Sequence, residues 1–130
     1  MAKTVLLIDD DVDLVTAATA ALELAGYAVT SAHSGVEGLA KAQAETPDAI
    51  VLDVTMETVG AGFKVARSLR EDESTRRIPL LMLTSINRTD VGLRYGADED
   101  WNPVDMFLDK PVSAEQLVAE VGKLLAGAEA

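Results

Sequence analysis

A chain of 130 residues with 48% hydrophobic and 25% charged residues has the size and balance of one globular domain, and general disorder is excluded. Its 22 Asp and Glu outweigh 11 Lys and Arg, and a net charge of −11 repels phosphate backbones and anionic lipid, so neither direct nucleic-acid binding nor membrane-surface binding is expected. The absence of cysteine and a single histidine, His33, remove disulfides, thiol chemistry and His-rich zinc sites.

Met1-Ala2-Lys3-Thr4 leads into the apolar run Val5-Leu6-Leu7-Ile8, too short for a signal peptide or membrane span, and the expected location is the cytoplasm. That run predicts a first strand buried on both faces, and it ends in Asp9-Asp10-Asp11. From Val12 to Ala25, Leu14, Val15, Ala18 and Leu22 share one helical face, with Asp11 as the N-cap and Gly26 as the stop. Tyr27 to Ala32 mixes polar and apolar residues, as an edge strand does. Ser34-Gly35-Val36-Glu37 has the form of a capping box, opening a second helix with Val36, Leu39 and Ala40 on its inner face and Pro47 beyond its end. Ala49-Ile50-Val51-Leu52 predicts another buried strand, ending in Asp53. Gly62 to Glu71 carries Phe63, Ala66 and Leu69 at helical spacing. Glu71-Asp72-Glu73 and Arg76-Arg77 read as a solvated connection.

Leu80-Leu81-Met82-Leu83 predicts a third buried strand, ending in Thr84-Ser85. A short fourth helix is expected over 86–95. After an interruption at 99–103 that includes Trp101, Val104 to Leu108 predicts the other edge strand, ending in Asp109-Lys110-Pro111. Trp101 either packs under its own loop or contacts a partner. Ser113-Ala114-Glu115-Gln116 caps a last helix carrying Leu117, Val118, Val121, Leu124 and Leu125, whose tail from Ala126 to Ala130 is expected to fray. Strands alternating with helices imply an α/β fold, a five-stranded parallel sheet with helices on both faces. No linker or repeat divides it, so residues 1–130 are expected to be a single domain.

In open parallel sheets the ligand site lies beyond the carboxyl ends of the strands. Those ends carry Asp9, Asp10, Asp53, Thr84 and Lys110. Neighbouring strands run about 4.8 Å apart, so adjacency of the first and third strands would crowd the three acids into one pocket. Two like charges about 4 Å apart repel by roughly 4 kcal/mol at an effective dielectric near 20. Lys110 offsets one charge, and the all-oxygen donor set suits Mg²⁺, which takes one or two carboxylates together with phosphate oxygens. A carboxylate beside Mg²⁺ can act as a nucleophile toward phosphorus, giving an aspartyl phosphate. Asp53, a lone acid at the end of a central strand, is the candidate nucleophile, and the Asp9 and Asp10 pair suits metal binding. Lys110 and the Thr84 hydroxyl can donate to the equatorial phosphoryl oxygens.

Leu-Leu-Ile-Asp-Asp-Asp at the start, Ile-Val-Leu-Asp-Val-Thr-Met around Asp53, Leu-Met-Leu-Thr-Ser at the fourth strand and Phe-Leu-Asp-Lys-Pro at the fifth span nearly the whole chain. In this order they resemble the receiver domain of two-component response regulators. The resemblance implies the flavodoxin-like strand order 2-1-3-4-5 and a phosphoryl group passed to Asp53 from a histidine kinase or a histidine phosphotransfer protein. It implies Mg²⁺ held by Asp9, Asp10, Asp53 and the Thr55 backbone carbonyl, with Thr84 as the switch hydroxyl and Phe107 as the coupled aromatic. It implies a chain that assists only its own phosphorylation and dephosphorylation and that regulates a separate protein target, relays phosphate to a histidine phosphotransfer protein, or drains it from a kinase. The Lys110-Pro111 pair resembles a family dipeptide whose peptide bond is usually cis. Glu57 stands where the family usually has Pro, so a longer loop over 57–62 is expected. Phe107 stands where Tyr is common.

Two other functions fit parts of the pattern. Asp9-Asp10-Asp11-Val12 after an apolar strand resembles the first motif of haloacid-dehalogenase phosphatases, with Asp9 as nucleophile and Asp11 as general acid. That family needs further acidic metal ligands after its lysine, and after Lys110 only Glu115, Glu120 and Glu129 remain. The altered loop after Asp53 also suits a receiver-like interaction module that is never phosphorylated.

Overall fold

The computed structural model describes residues 2–53, 61–84, 104–110 and 112–129. Its strands are β1 (Thr4–Ile8), β2 (Ala28–Ala32), β3 (Ala49–Asp53), β4 (Leu80–Thr84) and β5 (Met106–Asp109). Its helices are α1 (Val12–Leu24), α2 (Gly35–Glu45), α3 (Ala61–Glu71) and α4 (Ala114–Glu129). Thr55, most of the 57–62 loop, the expected helix over 86–95, the 99–103 interruption with Trp101, and Pro111 lie outside the described residues.

The strands pair in parallel in the order β2-β1-β3-β4-β5. The apolar runs of β1, β3 and β4 take the centre, because a strand covered by helices on both faces can carry few polar side chains without losing their hydration. β3 and β4 are buried at every position, whereas β2 and β5 keep partly exposed residues at the edges.

Pleating divides the core into two layers. Leu6, Ile8, Ile50, Leu52, Leu80 and Met82 pack with Ala42 of α2 and Val65, Ala66 and Leu69 of α3. The alternate residues Val5, Leu7, Val51, Leu81, Leu83 and Leu108 pack with Val15, Ala18 and Leu22 of α1 and Leu117, Val121, Leu124 and Leu125 of α4.

The predicted caps form. The Asp11 carboxylate accepts from Leu14 N at 3.1 Å, the Ser34 hydroxyl from Glu37 N at 3.1 Å, and the Ser113 hydroxyl from Gln116 N at 3.0 Å. Glu37 closes its side of the box one residue early, accepting from His33 N at 2.9 Å. Gly26, at φ 101°, supplies the left-handed turn that ends α1.

The buried face of α2 differs from the expected one. Val36 is 82% exposed and Ala40 is also exposed, while Gly35, Gly38 and Ala42 face the sheet and Leu39 is half-buried. The reason is close approach. A Cβ on Gly38 would lie 2.6 Å from Ile8 Cδ1, so the helix presents its smallest residues to β1 and turns Val36 outward.

Three further differences concern β5, α4 and the connection after α3. β5 starts at Met106, and Val104 is buried just before it. The α4 backbone stays helical through Glu129, in place of the expected fraying from Ala126. The connection after α3 is not merely solvated, because Thr75 is fully buried and its hydroxyl donates to Leu69 O at 2.7 Å.

Candidate functional site

The three consecutive acids after β1 have three fates. Asp9 N donates to Ala32 O at 3.0 Å, extending the β1–β2 ladder and holding Asp9 inside at 2% exposure. Asp10 points to solvent at the rim. Asp11 caps α1, and its backbone N–H donates to Asp9 Oδ1 at 2.9 Å.

Parallel pairing of β1 with β3, Ile8 opposite Leu52, brings the ends of the two strands level. The pleat that sends Leu7 and Val51 toward α1 and α4 places Asp9 and Asp53 on that same side. Ligand oxygens of Asp9, Asp10 and Asp53 lie within 4.8 Å of one another. At that separation two carboxylates repel by roughly 3 kcal/mol at an effective dielectric near 20.

Lys110 answers part of this repulsion. Its backbone N–H donates to Thr84 O at 2.8 Å, continuing the β4–β5 ladder past Asp109. Its Nζ lies 3.3 Å from Asp53 Oδ2 and 3.4 Å from Asp9 Oδ2. Burial alone would lower the Lys110 pKa, but the Asp9 and Asp53 charges hold it above its ordinary value.

The Asp9 carboxyl is pushed up from 3.8 to about 6. Burial is the main cause, the Asp53 charge adds to it, and the Asp11 N–H and Lys110 only partly oppose them. One ammonium among three carboxylates thus leaves the pocket short of positive charge. An all-oxygen donor set with excess negative charge fits a hard divalent cation such as Mg²⁺.

Thr84 ends β4, its carbonyl accepting from Lys110 N, and is 1% exposed. Phe107 is half-buried on β5 opposite Met82 and packs against the α2 and α3 side of the core. By strand alternation Thr84 and Phe107 belong to that same side of the sheet. Thus Asp9, Asp10, Asp53 and Lys110 meet in one pocket, the Thr84 carbonyl binds the Lys110 backbone, Phe107 pairs with Met82 two residues below Thr84, and Thr55 falls outside the described residues.

Arg70 on α3 has a partner far along the chain. Its guanidinium pairs with Asp105 at 2.9 Å and donates to Ile78 O at 2.8 Å, tying α3 to the start of β5. No local pattern announces a contact between residues 35 positions apart.

A family model for the response regulator receiver domain matches residues 5–122. Protein PilH of Pseudomonas aeruginosa is 34% identical over 126 residues, covering 95% of this chain and 98% of PilH. The DNA-binding dual master transcriptional regulator RpaA of Synechocystis is 39% identical over 124 residues, covering 93% of this chain and 48% of RpaA. The chain spans about half the length of several curated relatives it matches. Among solved structures, the chemotaxis response regulator CheY4 of Vibrio cholerae has a TM-score of 0.80 at 30% identity, over 95% of this chain and 99% of that one. A CheY-like receiver domain from Methanospirillum hungatei, at 22% identity, shares the fold with a TM-score of 0.81 over 99% of this chain and 98% of that one.

The sheet order and the acid pocket at its carboxyl ends define a phospho-accepting signalling module, not a classical enzyme. The chain belongs to the response regulator receiver domain family. Receiver domains of this family bind Mg²⁺ at an acidic pocket and act with histidine kinases and downstream effectors.

Proposed function

We propose that residues 1–130 act as a single receiver domain in which Asp53 is the phosphoacceptor. The observation that carries this reading is the placement of Lys110 Nζ 3.3 Å from Asp53 and 3.4 Å from Asp9, in a buried pocket at the carboxyl ends of the central strands. In this reading Asp9, whose Oδ1 accepts from Asp11 N–H, serves the metal, and Asp53 serves as the nucleophile. Asp11, the general acid of a phosphatase reading, has its carboxylate committed to the α1 N-cap.

In the proposed step a carboxylate oxygen of Asp53 attacks the phosphorus of a phosphohistidine on a kinase or phosphotransfer protein. The phosphorus–nitrogen bond breaks, and the imidazole departs with its electron pair and takes up a proton. Bound Mg²⁺, held by Asp9, Asp10, Asp53 and the Thr55 carbonyl, would supply the charge that lets carboxylate and phosphoryl oxygens approach. Lys110 releases one carboxylate contact to donate to a phosphoryl oxygen, and the Thr84 hydroxyl donates to another. Recruitment of Thr84 and repacking of Phe107 then bias a two-state equilibrium at the partner surface. The chain promotes only its own phosphorylation and dephosphorylation. The proposed site of action is the cytoplasm, and none of the described helices is long and apolar enough to cross a membrane.

Incubation with Mg²⁺ and acetyl phosphate, followed by intact mass and mapping of the labile, hydroxylamine-sensitive phosphoryl group, tests this reading. Label on Asp53 that disappears in Asp53→Ala is the expected result. Label on Asp9 with multiple turnover would establish the phosphatase instead. No label at saturating donor and metal would establish the unphosphorylated interaction module.

A further inference from the structure

Four of the eleven Lys and Arg residues converge at the end of the sheet opposite the acid pocket. Arg70, Arg76, Arg77 and Lys123 surround a cleft of about 540 Å³ beside the amino ends of β4 and β5 and the carboxyl ends of α3 and α4. The strands separate this cleft from Asp53 by roughly 15 Å, at about 3.3 Å per residue.

Arg70 organises the cleft. Its guanidinium donates to Arg76 O at 3.1 Å and Ile78 O at 2.8 Å, which folds the connection so that Arg76 and Arg77 stand at the rim. Asp105 is the acid among the described lining residues, and its Oδ2 is engaged by Arg70 at 2.9 Å and Leu80 N at 2.8 Å. Arg76 and Arg77 are exposed, and Lys123 is 69% exposed beside Glu120 at 3.3 Å, a weak surface pair. Pro79, Met106 and Leu124 give the cleft an apolar floor.

Arg70, Arg76, Arg77 and Lys123, set against Asp105 and Glu120, concentrate positive charge at this cleft in a chain of net charge −11. Such a patch orients an anionic partner while the surrounding surface repels it elsewhere. Guanidinium groups match carboxylates in two-pronged geometry, and the apolar floor gives a side chain a place that a free anion cannot use. We infer that this cleft docks an acidic peptide segment of a partner protein, with one apolar side chain seated between the arginines. Docking at the amino ends of the strands proceeds whether or not Asp53 carries a phosphoryl group, so the surface serves to tether the receiver.

The test is fluorescence anisotropy with a short labelled peptide of Asp and Glu around one central Leu. Saturable binding is expected, weakened by added salt, and weakened ~10-fold by the double substitution Arg76→Glu and Arg77→Glu. Lys123→Glu should act in the same direction, and Lys64→Glu, exposed on α3 outside the cleft, should change affinity less than about twofold. Replacing the central Leu with Ser should weaken binding, and acetyl phosphate with Mg²⁺ should leave it unchanged. Circular dichroism of each variant confirms folding. No binding, or equal losses for Lys64→Glu and the arginine variants, would overturn the inference. Full displacement by tripolyphosphate together with indifference to the Leu would do so too, leaving a small-anion site.

Discussion

Removing the buried charge of Asp9 should stabilise the metal-free protein at alkaline pH. Burial pushes the Asp9 carboxyl up to about 6 in the folded chain from its ordinary 3.8. Between those values the folded state binds a proton that the unfolded state does not, so stability falls as pH rises through that window. Above it the cost is about 3 kcal/mol, taking about 1.4 kcal/mol per pKa unit. Asn carries no charge and keeps an oxygen to accept from Asp11 N–H. Asp9→Asn should therefore gain ~3 kcal/mol over the wild type at pH 8, or ~10 °C in Tm, and less than about 1 kcal/mol at pH 4. Urea unfolding followed by circular dichroism, with chelator present, measures both differences. Adding Mg²⁺ at ten times its Kd should stabilise the wild type by about 1.4 kcal/mol and the variant by less. The reasoning is refuted if Asp9→Asn gains nothing at pH 8, or gains equally at both values.

Lys110→Ala leaves two nearly buried carboxylates without their shared cation, and metal-free unfolding at pH 8 should show a loss of about 2 kcal/mol. The same variant should lose phosphorylation-dependent output more than Mg²⁺ affinity measured by calorimetry, and equal losses would contradict its role toward the phosphoryl oxygens. Gly38→Ala pushes a methyl group against Ile8 and should cost about 1–3 kcal/mol, and the cost should shrink when Ile8→Ala opens the space, as a double-mutant cycle would report. Thr46 ends α2 at φ 41°, a left-handed conformation that a β-branched residue resists, so Thr46→Asn should raise stability by about 1 kcal/mol in thermal melts.

The candidate site was legible because its residues stand at strand ends. Asp9, Asp53, Thr84 and Lys110 each follow an apolar run, and in a parallel sheet every such run delivers its last residue to the same rim. The caps at Asp11, Ser34 and Ser113 were legible for a similar reason, since each acts on a backbone N–H three residues away.

The inner face of α2 was not legible, because large apolar residues dominate a periodicity count while the requirement for small ones comes from Ile8, distant in sequence. Nor were the Arg70–Asp105 pair or the buried Thr75 hydroxyl. Apolar spacing and local hydrogen bonding are properties of neighbouring residues, so the chain alone determined the described strands and helices, their caps and which side chains stand at the strand ends. Which helix face approaches the sheet, how far burial raises the Asp9 pKa, and which cations gather at the opposite end depend on distances between remote residues, and only packing of the folded chain decides those.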